Sequence, residues 1–357
     1  MSSKKSMKEG AFERFNELWA DDGKDTITLD YGVDQKYVIF SDLHMGDGSG
    51  ADNFRQNEKI FVKALEYYSD PARNYTLILL GDIEEYHQFP LPKILKKYRS
   101  KNPEEKSVYD MFEQFDGKIY RIFGNHDIEW SLRDPLFPNH KRTAYEAIKL
   151  KKGNSLDIMI THGHQAKESI EKDIHVVRCG TAIYRELERI FKFKSKSLFD
   201  EKPDKKDYIY DIWAREKKKI VICGHTHCPV FAKYFVDYQW VLKKYNEYEA
   251  KLDEIKHSGN QDEIKRVKKR KRWLQTKRNV YVKQLNEGRR FRKSPHTKLS
   301  TLYYNSGACL FRDAITNIEI DGDKIRMVYW FNKGKGVQPE ELLPVSEVNI
   351  SSILAQV

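Results

Sequence analysis

An α/β fold is what this 357-residue chain predicts, from three observations. Five short apolar runs each end in a cluster of polar residues of metal-ligand type. Amphipathic stretches with helical spacing separate several of these runs. After residue 219 the pattern turns strand-like, with Asp321-Gly322 as a hairpin signal between two late strands. In a βαβ sheet, parallel strands bring their carboxyl ends to one edge, and that edge is where reactive side chains gather.

The elements follow in order. Phe12, Phe15, Leu18 and Trp19 give residues 8–20 the spacing of a short amphipathic helix. Residues 26–29 and 36–40 read as strands, and the second runs into Ser41-Asp42-Leu43-His44. After a Gly-rich loop over 46–53, residues 57–68 carry Ile60, Phe61, Ala64, Leu65 and Tyr68 on one helical face. Residues 75–80 are continuously apolar, as in a strand buried on both faces, and end in Gly81-Asp82-Ile83-Glu84-Glu85. A helical region broken by Pro90, Pro92 and Pro103 extends to Phe115. A strand over 118–123 then ends in Gly124-Asn125-His126-Asp127, where the glycine permits a sharp turn. Residues 141–150 read as a helix. Residues 157–160 form a strand ending in Thr161-His162-Gly163-His164. Residues 165–217 look helical and cap-like. A strand over 219–223 ends in Gly224-His225-Thr226-His227, and residues 230–238, 302–311, 315–320 and 324–331 read as β.

A basic segment interrupts this β region. Val241, Tyr245, Tyr248, Leu252 and Ile255 recur at coiled-coil steps, Ser258-Gly259-Asn260 makes a turn, and Ile264, Val267, Leu274, Tyr281 and Leu285 resume the seam. Residues 240–298 are therefore an inserted helical hairpin. Residues 241–300 hold 19 Lys and Arg against 7 Asp and Glu, a surplus larger than the chain's whole net charge of +11. Arguments about acidic partners belong to that segment. A nucleic-acid backbone, an anionic membrane surface and a homo-oligomer contact compete there with plain solvation.

No apolar run approaches the roughly 18 residues of a transmembrane helix. Met1-Ser2-Ser3-Lys4-Lys5 leads into no apolar core, so no signal peptide is expected. Cys179, Cys223, Cys228 and Cys309 are few and irregularly spaced, which suits a reducing compartment. A cytoplasmic location follows, with peripheral membrane attachment left open. Cys223 and Cys228 read as a buried small residue and a loop thiol. His87, His140, His175, His257 and His296 show no partner pattern and read as surface or satisfied core.

One strand end alone could be an ordinary turn, since Asn, Asp and Gly are turn residues. Five together indicate a site. Imidazole, carboxylate and amide oxygen suit Mn²⁺, Fe²⁺ or Zn²⁺, and a carboxylate can bridge two such ions.

The five blocks resemble, in order, those of the calcineurin-like metallophosphoesterases: Ser-Asp42-Leu-His44, Gly-Asp82-x-x-Glu85, Gly-Asn125-His126-Asp127, His162-Gly and Gly-His225-Thr-His227. The resemblance implies a four-layer α/β/β/α sandwich over residues 36–331. The hairpin is an excursion from it, residues 1–35 are packed on the body, and 332–357 form a tail. It implies a centre of two divalent metal ions, Mn²⁺ first, with Asp42, His44 and His227 on one, Asn125, His162 and His225 on the other, and Asp82 between them. His126 would act on the phosphate as the catalytic imidazole, Asp127 would orient it, and Glu85 and His164 would stand behind the ligands. The chain is also similar to the UDP-2,3-diacylglucosamine hydrolase-like branch in Ser-Asp-Leu-His-Met and Gly-Asp-Ile-Glu-Glu-Tyr, and in Tyr304-Asn305-Ser306-Gly307, which places Asn305 on the substrate side. It differs from that branch at His126 and His164, where the branch has Arg and Asp. The expected activity is hydrolysis of a phosphoester or pyrophosphate by a water activated at the metal pair, on a nucleotide-linked or lipid-linked phosphate. A nuclease holding DNA or RNA on the basic hairpin, and a non-catalytic scaffold, are the alternatives.

Overall fold

Tyr37 to Phe40 and Leu77 to Leu80 offer no polar side chain to water, so the strands they form need cover on both faces. The computed structural model, which describes residues 6–100, 106–132, 144–165, 203–231, 235–257, 259–286, 299–311, 314–331 and 347–355, provides that cover. Its first half runs α1 (Met7–Ala20), β1 (Thr26–Asp30), β2 (Lys36–Phe40), α2 (Glu58–Tyr68), β3 (Tyr75–Leu80), α3 (Leu91–Tyr98), α4 (Val108–Glu113), β4 (Ile119–Ile122), β5 (Ala147–Lys152) and β6 (Ser155–Thr161). Then come α5 (Lys205–Lys217), β7 (Ile220–Cys223), α6 (Phe235–Ile255), α7 (Gln261–Asn286), β8 (Tyr303–Asn305), β9 (Ala314–Asp321), β10 (Lys324–Phe331), β11 (Glu347–Asn349) and α8 (Ile350–Leu354).

The strands form two mixed sheets with helices packed on them, an α/β sandwich. One sheet has the order β11-β10-β9-β2-β3-β4, the other β1-β5-β6-β7-β8. Within the first, β2, β3 and β4 are mutually parallel; within the second, β6, β7 and β8 are. Val38, Phe40, Leu77 and Leu79 join Ile60, Phe61, Ala64, Leu65 and Tyr68 of α2 in one core cluster. Ile39, Ile78 and Leu80 point the other way by the two-residue period and are equally buried. On the other sheet α5 packs against β7 and β8. It also holds α1, through Phe15 stacked on Tyr210 at 4.7 Å and edge-on to Trp213.

Three expectations change. Residues 144–150 are not helical: β5 pairs in parallel with β1 and antiparallel with β6. Ala147, Ile148, Lys149 and Leu150 are all buried, so they need a sheet position rather than a one-sided helix, and Gly153-Asn154 closes a two-residue hairpin to β6. Phe235 to Tyr238 are not strand; they open α6, and among the described residues of that stretch only Val230 keeps a bridge, to Asn305. Within 302–311 the strand is confined to β8, because Gly307, at φ +76°, turns the chain. Residues 1–35 supply an edge strand, β1. Of the cap-like stretch, Lys205–Lys217 lies on the body as α5, and 166–202 fall outside the described residues, as do 332–346 of the tail.

The hairpin is a compact unit by itself within Ala232–Leu299. Lys271 reaches Glu249, and Lys251 reaches Glu263, which fixes α6 and α7 as antiparallel. Ile264, Val267 and Leu274 are its buried seam. Among the described residues, no helix is long and apolar enough to cross a membrane.

Candidate metal centre

The two parallel triplets of strands direct their carboxyl ends to one place. From β2, β3 and β4 come Asp42 and His44, Asp82, and Asn125 to Asp127. From β6, β7 and β8 come His162, His225 and His227, and Asn305. Backbone bonds carry the ladder past the strand ends: Asp42 N–H donates to Gly81 O, His44 N–H to Asp82 O, and Gly224 N–H to His162 O. The sheets are stitched together at the site itself. His225 N–H donates to Asp42 Oδ2 at 2.9 Å, and Cys309 N–H donates to Asp42 O.

Asp42, His44, Asp82, His225 and His227 all have left-handed backbones, with φ between +49° and +68°. Such a conformation is costly for a residue with a Cβ, and it persists only where surrounding structure enforces it. Among the described residues only three other non-glycine positions share it, so the strain is concentrated at the site. Glycines make the close approach possible. A Cβ on Gly124 would fall 2.1 Å from Asp82 Oδ1, and one on Gly224 would fall 2.6 Å from Asp42 Oδ2.

The side chains gather into two overlapping sets. Asp42, His44 and His227 form one; Asp82, His162 and His225 form the other, with ligand atoms within 4.8 Å of one another in each. His227 Nε2 lies 3.2 Å from Asp42 Oδ1 and 3.2 Å from His44 Nε2. His162 Nε2 is 3.2 Å from Asp82 Oδ2, and His44 Nε2 is 3.7 Å from the same oxygen. Asp82 therefore faces both sets. Three buried polar atoms here have no hydrogen-bond partner: Asp82 Oδ2, His162 Nε2 and Asn125 Oδ1. Leaving such a group unmet costs about 1–3 kcal/mol, and more when it is charged. His162 donates its Nδ1–H to Leu80 O at 2.8 Å, so the nitrogen it turns toward the Asp82 carboxylate is Nε2. A carboxylate oxygen and an imidazole nitrogen meeting in this way need a cation, or a proton in its place, between them. The donor set of imidazole, carboxylate and amide oxygen fits a divalent ion.

Burial works against charge here and neighbouring groups overcome it. Burial would raise the Asp82 carboxyl, but the imidazoles of His162, His126 and His44 hold it well below the usual carboxylate range. Burial would lower His162, but Asp82 and Asp42 push it up to about 9, so without a cation Nε2 holds a proton against Asp82 Oδ2, and a bound cation would take that proton's place. His225 goes the other way: burial, then the charges of His162 and Lys206, keep it well below its ordinary value and hence neutral, as a metal-binding imidazole must be. The Lys206 ammonium lies against His225 Nε2.

Glu85 holds two histidines at once. Its Oε2 is 2.8 Å from His44 Nδ1 and its Oε1 is 2.8 Å from His126 Nδ1. Burial lowers His126, but Glu85 and Asp82 outweigh it and push the imidazole up to about 10. This corrects the role expected of Asp127. That carboxylate accepts the backbone N–H groups of Ile83 at 2.8 Å and Gly124 at 2.6 Å, fastening the third block to the second, while Glu85 steadies the His126 ring. Asn305 is corrected too. Fully buried, it donates to Gly224 O at 2.7 Å and accepts from Gly307 N–H, so it braces the loop after β7 rather than facing a substrate. His164 packs beside His162, ring centres 5.6 Å apart.

Two residues were missed. His87, expected at the surface or in the core, stands with its ring 4.3 Å from that of His126 and groups with Glu85 and His126. Burial, then the positive His126, lowers it to about 4. Only its place two residues after Glu85 hinted at this. Asp207 accepts from Tyr303 Oη at 2.6 Å, Thr226 Oγ1 at 3.0 Å and Asn305 Nδ2 at 3.2 Å, and so holds the His225–His227 loop from behind. His257 is exposed, and His140, His175 and His296 lie outside the described residues.

Comparison with protein families matches residues 35–252, more than half of the chain, to the model for calcineurin-like phosphoesterases. Searches of curated proteins and of solved structures return no match.

Proposed function

Because the chain belongs to the calcineurin-like phosphoesterase family, hydrolases acting on phosphoester bonds, we propose that its strand-end cluster is a two-cation centre that hydrolyses a phosphate ester or pyrophosphate. One observation carries this: the unmet, buried Asp82 Oδ2, His162 Nε2 and Asn125 Oδ1 inside a strained, converging set of ligand-type residues. Asp42, His44 and His227 would hold one cation, Asn125, His162 and His225 the other, and Asp82 both. Such a pair, when bound, neutralises phosphoryl charge and lowers the pKa of a water.

The chain's own groups supply orientation and the proton. Glu85 takes the Nδ1–H of His126 and of His44, which fixes both rings. His126 keeps its Nε2–H for the leaving oxygen, the role of a general acid. Asp127 and Asp207 hold the two loops so that neither ring can swing. Mn²⁺ is the first choice of metal, with Fe²⁺ and Zn²⁺ compatible with the same donors. A nucleotide-linked or lipid-linked phosphate is the substrate we favour, on the likeness of residues 41–45 and 81–86 to the UDP-2,3-diacylglucosamine hydrolase-like branch.

The test is turnover of phosphomonoesters, cyclic nucleotides and nucleoside diphosphate-linked lipids by protein stripped of metal and then reloaded with Mn²⁺. Asp82→Asn should reduce bound metal and abolish turnover together. Full turnover by the stripped protein overturns the proposal.

A further inference from the structure

The hairpin carries charge that nothing within it offsets. On α7, Lys265, Lys268, Lys269 and Arg272 are exposed, and among the described residues none has an acid within ion-pair distance. Their steps of three and four put them on one helical face. The seam of Ile264, Val267 and Leu274 lies on another, against α6. Four of the hairpin's acids are engaged elsewhere, Glu247 with Lys244, Glu249 with Lys271, Asp253 with Lys256 and Glu263 with Lys251, and the exposed Glu254 and Asp262 make no ion pair with the four cations. At the flank of the basic face, the Arg270 guanidinium sits 4.9 Å over the ring of half-buried Trp273.

Four like charges within about 10 Å of helix axis repel one another and gain nothing from the fold. Their density suits a nucleic-acid strand, whose phosphates recur about every 3.4 Å along a duplex axis. An interfacial membrane helix buries an apolar face in the bilayer, and Ile264, Val267 and Leu274 of α7 are already spent on α6; attachment to lipid by charge alone is an outcome of the test below. We infer that this face of α7 binds the phosphate backbone of a nucleic acid. The binding is independent of the hydrolytic reading, since no residue of the strand-end cluster takes part in it.

The experiment is fluorescence anisotropy of a labelled single-stranded oligonucleotide with the full chain over a series of salt concentrations. Four phosphate contacts at about 0.7 each should give a slope of about −3 in log K against log salt. Replacing Lys265, Lys268, Lys269 and Arg272 together by Gln should weaken binding at least about tenfold and flatten the slope, with aryl phosphate turnover and far-UV circular dichroism unchanged. A flat slope for the unmodified protein overturns the inference whether or not the fourfold variant folds. So does wild-type binding by a well-folded fourfold variant, or binding to phosphatidylserine vesicles with none to the oligonucleotide.

Discussion

The strand-end cluster and the basic face of α7 treat charge in opposite ways. In the cluster each ionised group is buried and shared: Glu85 serves two histidines, Asp127 two backbone amides, Asp42 and Asp82 several imidazoles. On α7 the four cations are exposed and solitary. Charge that has been desolvated must be repaid by specific partners, so its geometry is fixed and its loss is expensive. Charge left in water is cheap to keep and free to meet a partner from outside. The first region is built for chemistry at fixed distances, the second for a diffuse anionic partner.

After Asp82→Asn, the largest effect expected of a single side chain in this comparison is that of His126→Ala. Loss of a general acid should lower kcat by about 10²–10⁴ with bound metal unchanged. His126 also groups with His44 and Asp82, so metal analysis sharpens its role. If metal falls along with turnover, His126 is a ligand and the assignment as acid fails.

Glu85 and Asp127 divide the work differently than their places in the blocks suggest, and paired substitutions should separate them. Glu85→Gln keeps the shape but removes the charge facing two imidazoles, and should lower activity or metal affinity about 10–100-fold. Asp127→Asn leaves a backbone N–H of Ile83 or Gly124 unmet, and should cost about 1–3 kcal/mol of stability, read as a lower urea midpoint. Equal losses of activity per folded molecule in the two variants would break the distinction.

Much of this was legible in the sequence because the signals were local. Apolar runs ending in Asp, Asn and His announce strand ends, and the 3-4 spacing from Tyr245 to Ile255 announces a seam. Non-local partners were not legible. Glu85 keeps its expected hold on a ligand, His44, and also takes the hold on His126 expected of Asp127, because backbone turns after β3 and β4, invisible in residue types, aim Asp127 at backbone amides instead. Asp207 looks like an ordinary helix-start acid, and it does close a capping box with Asp204. Its other oxygen meets Tyr303, Thr226 and Asn305 only because α5 lies on β7 and β8. Ala147 to Lys152 mislead because a lysine within an apolar run imitates helical amphipathicity. Lys149 is buried and reaches the carbonyls of Trp19 and Asp21 instead.

A mixed case tests the comparison at its weakest point. Asp21 is half-buried, between the exposed cations of α7 and the buried carboxylates of the site, and it is shared like the latter. It accepts from the N–H groups of Asp25 and Thr26 at 2.9 Å and from Thr26 Oγ1 at 2.8 Å. Burial would raise its carboxyl, but those hydrogen bonds outweigh it and bring the group from 3.8 down to about 2. A folded value below the unfolded one means stability that is fully present above about 3.8 and is lost as the pH falls through about 2. Asp21→Asn should therefore lower the urea midpoint most at neutral pH, with the deficit closing as the pH falls toward about 2, which flattens this part of the acid limb. Thr26→Val should remove part of the same slope. An acid limb identical in the wild type and Asp21→Asn would mean that hydrogen bonds to a half-buried carboxylate count for no more than the solitary lysines do, and that full burial alone separates the two regions.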